Sequence, residues 1–150
     1  MLPESLSSLR VSEIMSTDLV EANSNEPLSE AVTRMLEKDV GSIIVTENGE
    51  IQGIITKGDV LKKAFLYGLE AREVSCKRVM SYPAKTISWD SSIEEAAKLM
   101  SRDNISKLPV VREGKLVGIV TSTDIIRTEP VQVSYLQELV RARYVPHERT

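Results

Sequence analysis

The chain writes one phrase twice. GIITKGD (Gly53–Asp59) returns 65 positions later as GIVTSTD (Gly118–Asp124). Sliding the sequence on itself by that offset aligns 11–62 with 76–127 without a gap. Met15, Ser16, Glu30, Ala31, Met35, Val45, Gly49, Gly53, Ile54, Thr56 and Asp59 all fall on identical residues in the second copy. About three such matches are expected by chance, so one structural unit is used twice.

Each copy reads alike. Leu28, Ala31, Val32, Met35 and Leu36 recur at helical spacing, as do Ile93, Ala96, Ala97 and Met100. A short strand follows at 42–46 or 108–112, then a turn, then a second strand at 51–56 or 116–121. Asn48-Gly49 is a hairpin turn signal, because both central residues must tolerate positive φ. Helices then begin near Gly58 and Thr123, and a short extended segment precedes each copy at 19–22 and 84–87. The class is therefore α+β: strand, helix, β-hairpin, helix, twice. One unit of this length buries too little surface to be comfortable alone. Two units packed sheet to sheet share a core about a pseudo-twofold axis, and any cleft then occurs twice.

Net charge and cysteine content narrow the function. A formal charge of −3 opposes general nucleic-acid binding, which needs a basic excess. Nothing approaches the roughly 20 apolar residues of a membrane helix, no signal peptide is visible, and Cys76 is the sole cysteine. The expectation is a cytoplasmic protein. With one His and one Cys and no nucleophile–base pair or metal cluster, the chain reads as no enzyme, with no catalytic or metal residues and no required cofactor.

Thr56-x-x-Asp59 and Thr121-x-x-Asp124 stand where a strand hands over to a helix. Two readings are open. The first is a capping box, with the acid in the first helical turn. The second is a ligand site. A helix start and a Thr hydroxyl suit phosphate, and a carboxylate suits the neutral diol of a ribose. Gly53 and Gly118 would then let a flat ring approach the backbone.

The elements that carry these phrases, GSIIV with GIITKGD and SKLPVV with GIVTSTD, resemble the cystathionine β-synthase (CBS) domain. The resemblance spans roughly 11–127 as a tandem pair, or Bateman module. It implies a regulatory module that binds AMP, ADP, ATP or S-adenosylmethionine in the clefts between repeats and relays this to a partner. It also implies that the motif Asp holds ribose and that sites are composite. Carried over residue by residue, the first site joins Thr56, Lys57 and Asp59 to Lys85, Ile87, Ser106 and Lys107. The second joins Thr121, Ser122 and Asp124 to Val20, Ala22, Gly41 and Ser42. Three lysines at the first site lead us to expect ADP or ATP there, and a less anionic adenosyl ligand at the second.

The expected organisation is an N-terminal segment (1–10) with a short helix, a first repeat (11–67), a linker (68–75), a second repeat (76–129) and a tail (130–150). The tail carries a short helix with Leu136, Leu139 and Val140 on one face. Spare apolar helix faces suggest a homodimer. The alternatives are a ligand-free scaffold whose Thr-x-x-Asp phrases only cap helices, or an enzyme acting on adenine nucleotides.

Overall fold

The computed structural model describes residues 9–128. Most of the leading segment, and the helix expected in the tail, lie outside these residues. Leu9 and Arg10 are not helical; Arg10 pairs with Ser92 in an antiparallel bridge.

The first sheet holds β1 (Glu21–Asn23), β2 (Ser42–Glu47) and β3 (Glu50–Thr56) in that order. The second repeats it with β4 (Ile87–Ser88), β5 (Lys107–Arg112) and β6 (Lys115–Thr121). In each, the short strand runs parallel to the first hairpin strand and the hairpin is antiparallel. Both ladders carry a register shift at matching places, Val45/Thr46 and Val110/Val111. Both turns place two successive residues at positive φ: Asn48 at 53° with Gly49 at 81°, and Glu113 at 52° with Gly114 at 79°. That is the twist a two-residue hairpin requires.

Helices α2 (Leu28–Glu37) and α5 (Ile93–Asp103) cover the sheets. They bury Leu28, Ala31 and Met35, and Ile93, Ala96 and Met100. The apolar stripe is narrower than expected. Leu36 is 67% exposed, because a ten-residue helix over a three-stranded sheet buries one stripe and Leu36 lies a further turn step beyond Met35. The short strands also start later than expected. Val20 contributes a carbonyl to Ile44 N (2.9 Å), but laddered pairing begins at Glu21. After β3, helix α3 (Lys57–Asp59) runs directly into wider turns over Val60–Phe65, where Leu66 N bonds to Leu61 O. Gly68, at φ 70°, follows the helix as the expected break.

The sequence repeats are not the packing units. Helix α1 (Val11–Ile14) opens the first copy yet packs in the second core, where Val11 joins Leu108, Val110, Val120 and Ile125. Helix α4 (Cys76–Val79) opens the second copy yet packs in the first core with Leu28, Ile43 and Ile55. The backbone follows suit. Ser16 and Ile119 exchange two hydrogen bonds of 2.9 Å, and Ser81 and Ile54 exchange two of 2.8 and 3.2 Å. Strands β3 and β6 touch across the axis. Each half thus completes its partner's core, and the chain between helix α1 and β1 crosses from one half to the other.

Cys76 lies wholly buried in the first core. Burial first, and then the neighbouring Glu26 carboxylate, push its thiol up to about 11. At pH 8 about one thiol in a thousand is then ionised. Iodoacetamide should therefore label Cys76 only after denaturation. Labelling of the native protein at the unfolded rate would contradict this burial.

Candidate functional site

Both Thr-x-x-Asp phrases form complete capping boxes. Thr56 Oγ1 accepts from Asp59 N (3.2 Å), and Asp59 Oδ2 accepts from Thr56 N (2.9 Å). Helix α6 (Ser122–Ile126) begins the same way: Thr121 Oγ1 accepts from Asp124 N (3.1 Å), and Asp124 Oδ2 from Thr121 N (2.9 Å). The capping reading holds at both sites, and each carboxylate keeps a second oxygen for other work.

A cleft of about 190 Å³ opens beside Asp124. Ile119, Thr121 and Asp124 of the second copy line it together with Val20, Gly41, Ser42 and Ile44 of the first. Ser16, Asp18 and Leu19, on the crossing segment, line it as well. The cleft is composite in the expected sense, a motif of one copy facing the strands of the other. Of the seven residues assigned to the second site, Val20, Gly41, Ser42, Thr121 and Asp124 line it. Ala22 is a core residue, 2% exposed, and Ser122 is half-buried at the start of α6, its N–H donating to Ser106 O (2.9 Å).

Lys107 corrects the expected charge distribution. Its ammonium lies within reach of the Lys57 charge but is not confined to the Asp59 side. It crosses to the Asp124 cleft and donates to Gly41 O (3.0 Å). The register explains this: Lys107 opens β5 opposite Thr121, which also lines that cleft. Burial, reinforced by the charge of Lys57, lowers its pKa from the ordinary lysine value. The Asp124 cleft, expected to hold no lysine, thus has Lys107 on its lining. Lys85 is exposed, and its charge helps hold the Asp103 carboxyl below the ordinary range, after the larger effect of the Arg102 hydrogen bond. Ile87 is buried in the second core, while Lys57 and Ser106 are exposed.

The two motif carboxylates differ. Asp59 Oδ2 also accepts from Thr56 Oγ1 (3.1 Å), while Oδ1 accepts from Ser81 Oγ (3.0 Å) and pairs with Lys63 (3.4 Å). Asp124 has only its cap bonds among the described residues. Ser16, the counterpart of Ser81, instead accepts from Asp18 N (3.2 Å). Lys63 and Ser81 were missed from sequence, although both left a signal. Lys63 stands four residues after Asp59, the spacing of a helical ion pair. Ser16 and Ser81 are an identity of the repeat. Alanine at Asp59 should accordingly cost about 1 kcal/mol more stability than alanine at Asp124. Urea midpoints of the two variants measure the difference; equal midpoints would contradict it.

The glycines serve a different purpose from the one expected. A Cβ on Gly53 would lie 2.6 Å from Ser81 O and 2.7 Å from Met80 Sδ. One on Gly118 would lie 2.5 Å from Met15 Sδ and 2.9 Å from Ser16 O. Both glycines admit the crossing Met-Ser segments rather than a ligand ring. This accounts for Met, Ser and Gly recurring together at the 65-residue offset.

Comparison with known proteins agrees with this architecture. The CBS domain model matches residues 11–65 and 76–130. An uncharacterized protein of Methanopyrus kandleri is 38% identical over 133 residues, which cover 87% of this chain and 68% of that one. A conserved CBS domain protein of Thermoplasma acidophilum superposes with a TM-score of 0.78 at 26% identity, over 90% of this chain and 76% of that one. A CBS domain pair solved in complex with 5′-methylthioadenosine and S-adenosyl-L-methionine gives a TM-score of 0.72 at 30% identity, over 79% and 94% of the two chains.

Proposed function

Since the chain belongs to the CBS domain family and carries two of its domains in tandem, we propose that it is a regulatory module that binds an adenosyl ligand in the cleft between the repeats. The observation that carries this reading is the composite cleft itself. A carboxylate, Asp124, lines it with one oxygen outside its cap bonds, facing walls from the other copy. A carboxylate so placed can accept from both hydroxyls of a ribose. The complex of a similar domain pair with two adenosyl compounds supports that choice of ligand class. The candidates are AMP, ADP, ATP and S-adenosylmethionine, bound rather than turned over.

A thermal-shift panel with these four compounds tests the reading. A ligand at 100 times its Kd stabilises by roughly 2.7 kcal/mol. At least one compound should raise the melting temperature in a concentration-dependent way. No shift with any of them at millimolar concentration would overturn the reading. It would favour the scaffold alternative, which the complete capping boxes also accommodate.

Relay to a partner needs a surface. Leu61, Phe65, Leu66 and Tyr67 are 64%, 80%, 70% and 64% exposed, clustered where the first repeat ends. We assign this patch to a second copy of the chain. Light scattering at micromolar concentration should give a dimer, and Phe65→Glu should reduce it to a monomer. A wild-type monomer would contradict the assignment. No helix among the described residues is long and apolar enough to cross a membrane.

A further inference from the structure

We propose that the two motif carboxylates have divided roles: Asp59 is a structural latch, while the Asp124 cleft takes the ligand and Lys107 makes it select a phosphate-bearing adenosyl ligand over its uncharged counterpart. This rests on the adenosyl reading above and goes beyond it by naming the cleft, the selecting residue and the anion.

The latch follows from occupancy. Both oxygens of Asp59 are engaged, by Thr56 on one side and by Ser81 and Lys63 on the other. A ribose diol would have to displace Ser81 Oγ, and Ser81 sits on the crossing segment, where its backbone exchanges hydrogen bonds with Ile54. Ligand binding there would oppose the interlock. The Asp124 cleft lacks both latch partners. The residue at the Lys63 position is Thr128, whose hydroxyl donates to Ile125 O (2.6 Å). The residue at the Ser81 position, Ser16, accepts from Asp18 N instead. Asp124 therefore retains an accepting oxygen where Asp59 does not.

Lys107 supplies the second determinant. The ammonium reaches Gly41 O only because Gly41 lacks a Cβ, which would lie 2.5 Å from Nζ. An ammonium has three protons, and the Gly41 carbonyl takes one. Among the described residues Lys107 has no carboxylate partner within ion-pair distance. It is thus a half-buried cation bonded to a neutral acceptor. A phosphate oxygen would offer a charge-assisted bond in its place. The cleft tolerates little more negative charge, since Asp18 and Asp124 also line it and Lys38 pairs with Asp18 (3.2 Å). Among the lining residues Lys107 is the one cation, beside two carboxylates of which Lys38 pairs only Asp18, and this suits a single phosphate better than a triphosphate. A nucleoside monophosphate fits that balance.

Titration calorimetry with AMP and adenosine tests the proposal. Wild-type protein should bind one AMP per chain, about tenfold or more tighter than adenosine, the usual scale of a charged hydrogen bond. Lys107→Met should bring AMP down to the adenosine affinity and leave adenosine unchanged. Asp124→Asn should weaken both compounds about tenfold or more, and Asp59→Asn should leave both within about threefold. Should Asp59→Asn fail to fold, Ser81→Ala removes the latch bond and keeps the carboxylate; AMP binding should again persist. The proposal is overturned if Lys107→Met preserves the AMP preference, or if Asp124→Asn keeps AMP while Asp59→Asn or Ser81→Ala loses it. Failure of wild-type protein to bind either compound sinks the adenosyl reading itself, and this inference with it. Where wild type binds AMP, the variants judge the inference alone.

Discussion

Val11→Ala is expected to destabilise the protein by about 2–3 kcal/mol, with the loss felt in the second repeat. Val11 is wholly buried and packs against Leu108, Val110, Val120 and Ile125. Its truncation removes buried apolar surface and leaves a cavity in a core that can close only partly. A residue near the start of the chain would thus govern the stability of strands a hundred positions away. Urea denaturation measures the cost. Native-state hydrogen exchange locates it: amides of β5 and β6 should exchange faster, with a smaller change in β2 and β3. A cost below about 0.5 kcal/mol, the range of ordinary surface substitutions, would show that helix α1 does not complete the second core.

The glycines give the second large effect, and they predict a change of sign within the six residues from Gly53 to Gly58. Gly53→Ala and Gly118→Ala should each destabilise by about 1–3 kcal/mol, the usual range for overpacking. In both, the new methyl meets a backbone carbonyl oxygen, Ser81 O or Ser16 O, besides a flexible Met sulfur. The Met can move aside. The carbonyl cannot, because it is hydrogen-bonded to the strand that bears the glycine. Gly58 is the control. A Cβ there would meet only Thr56 Oγ1 at 3.6 Å, an ordinary contact, and Gly58 lies inside helix α3. Gly58→Ala should be neutral or stabilising by up to about 1 kcal/mol, through the reduced freedom of the unfolded chain. Thermal melts of the three variants decide it. Equal destabilisation by all three would mean that the tight crossings are not the reason for Gly53 and Gly118.

These residues also show where reading the sequence succeeded and where it stopped. The 65-residue offset exposed the repeat, Asn48-Gly49 the hairpin, and Thr56 and Thr121 the helix starts. All of those signals are local or periodic. The interlock is neither. The short helices that open at Val11 and Cys76 were not read from the sequence, and neither was the core that buries each. The recurrence of Met-Ser with a distant Gly was visible as identity, yet its meaning is a contact between chain segments far apart in sequence. The glycines were therefore assigned to a ligand ring. Lys107 illustrates a second limit. The family resemblance assigned it to the Asp59 site, whereas the hairpin, shifted by one residue at Val110/Val111, sets it opposite Thr121. Where a long side chain ends depends on what stands in its way, and the missing Cβ of Gly41 clears the path. The pairing of Asp59 with Lys63 was legible from spacing alone. That of Asp59 with Ser81 required the crossing.

Hydrogen exchange of the wild-type protein with and without saturating AMP tests the central claim, that an adenosyl ligand occupies the cleft between the repeats beside Asp124. Protection should concentrate in 16–20, 40–44 and 119–124, the segments that wall this cleft, and should leave the outward faces of α2 and α5 unchanged. Binding of AMP with protection confined to those helices, or to the surroundings of Asp59, would contradict the account.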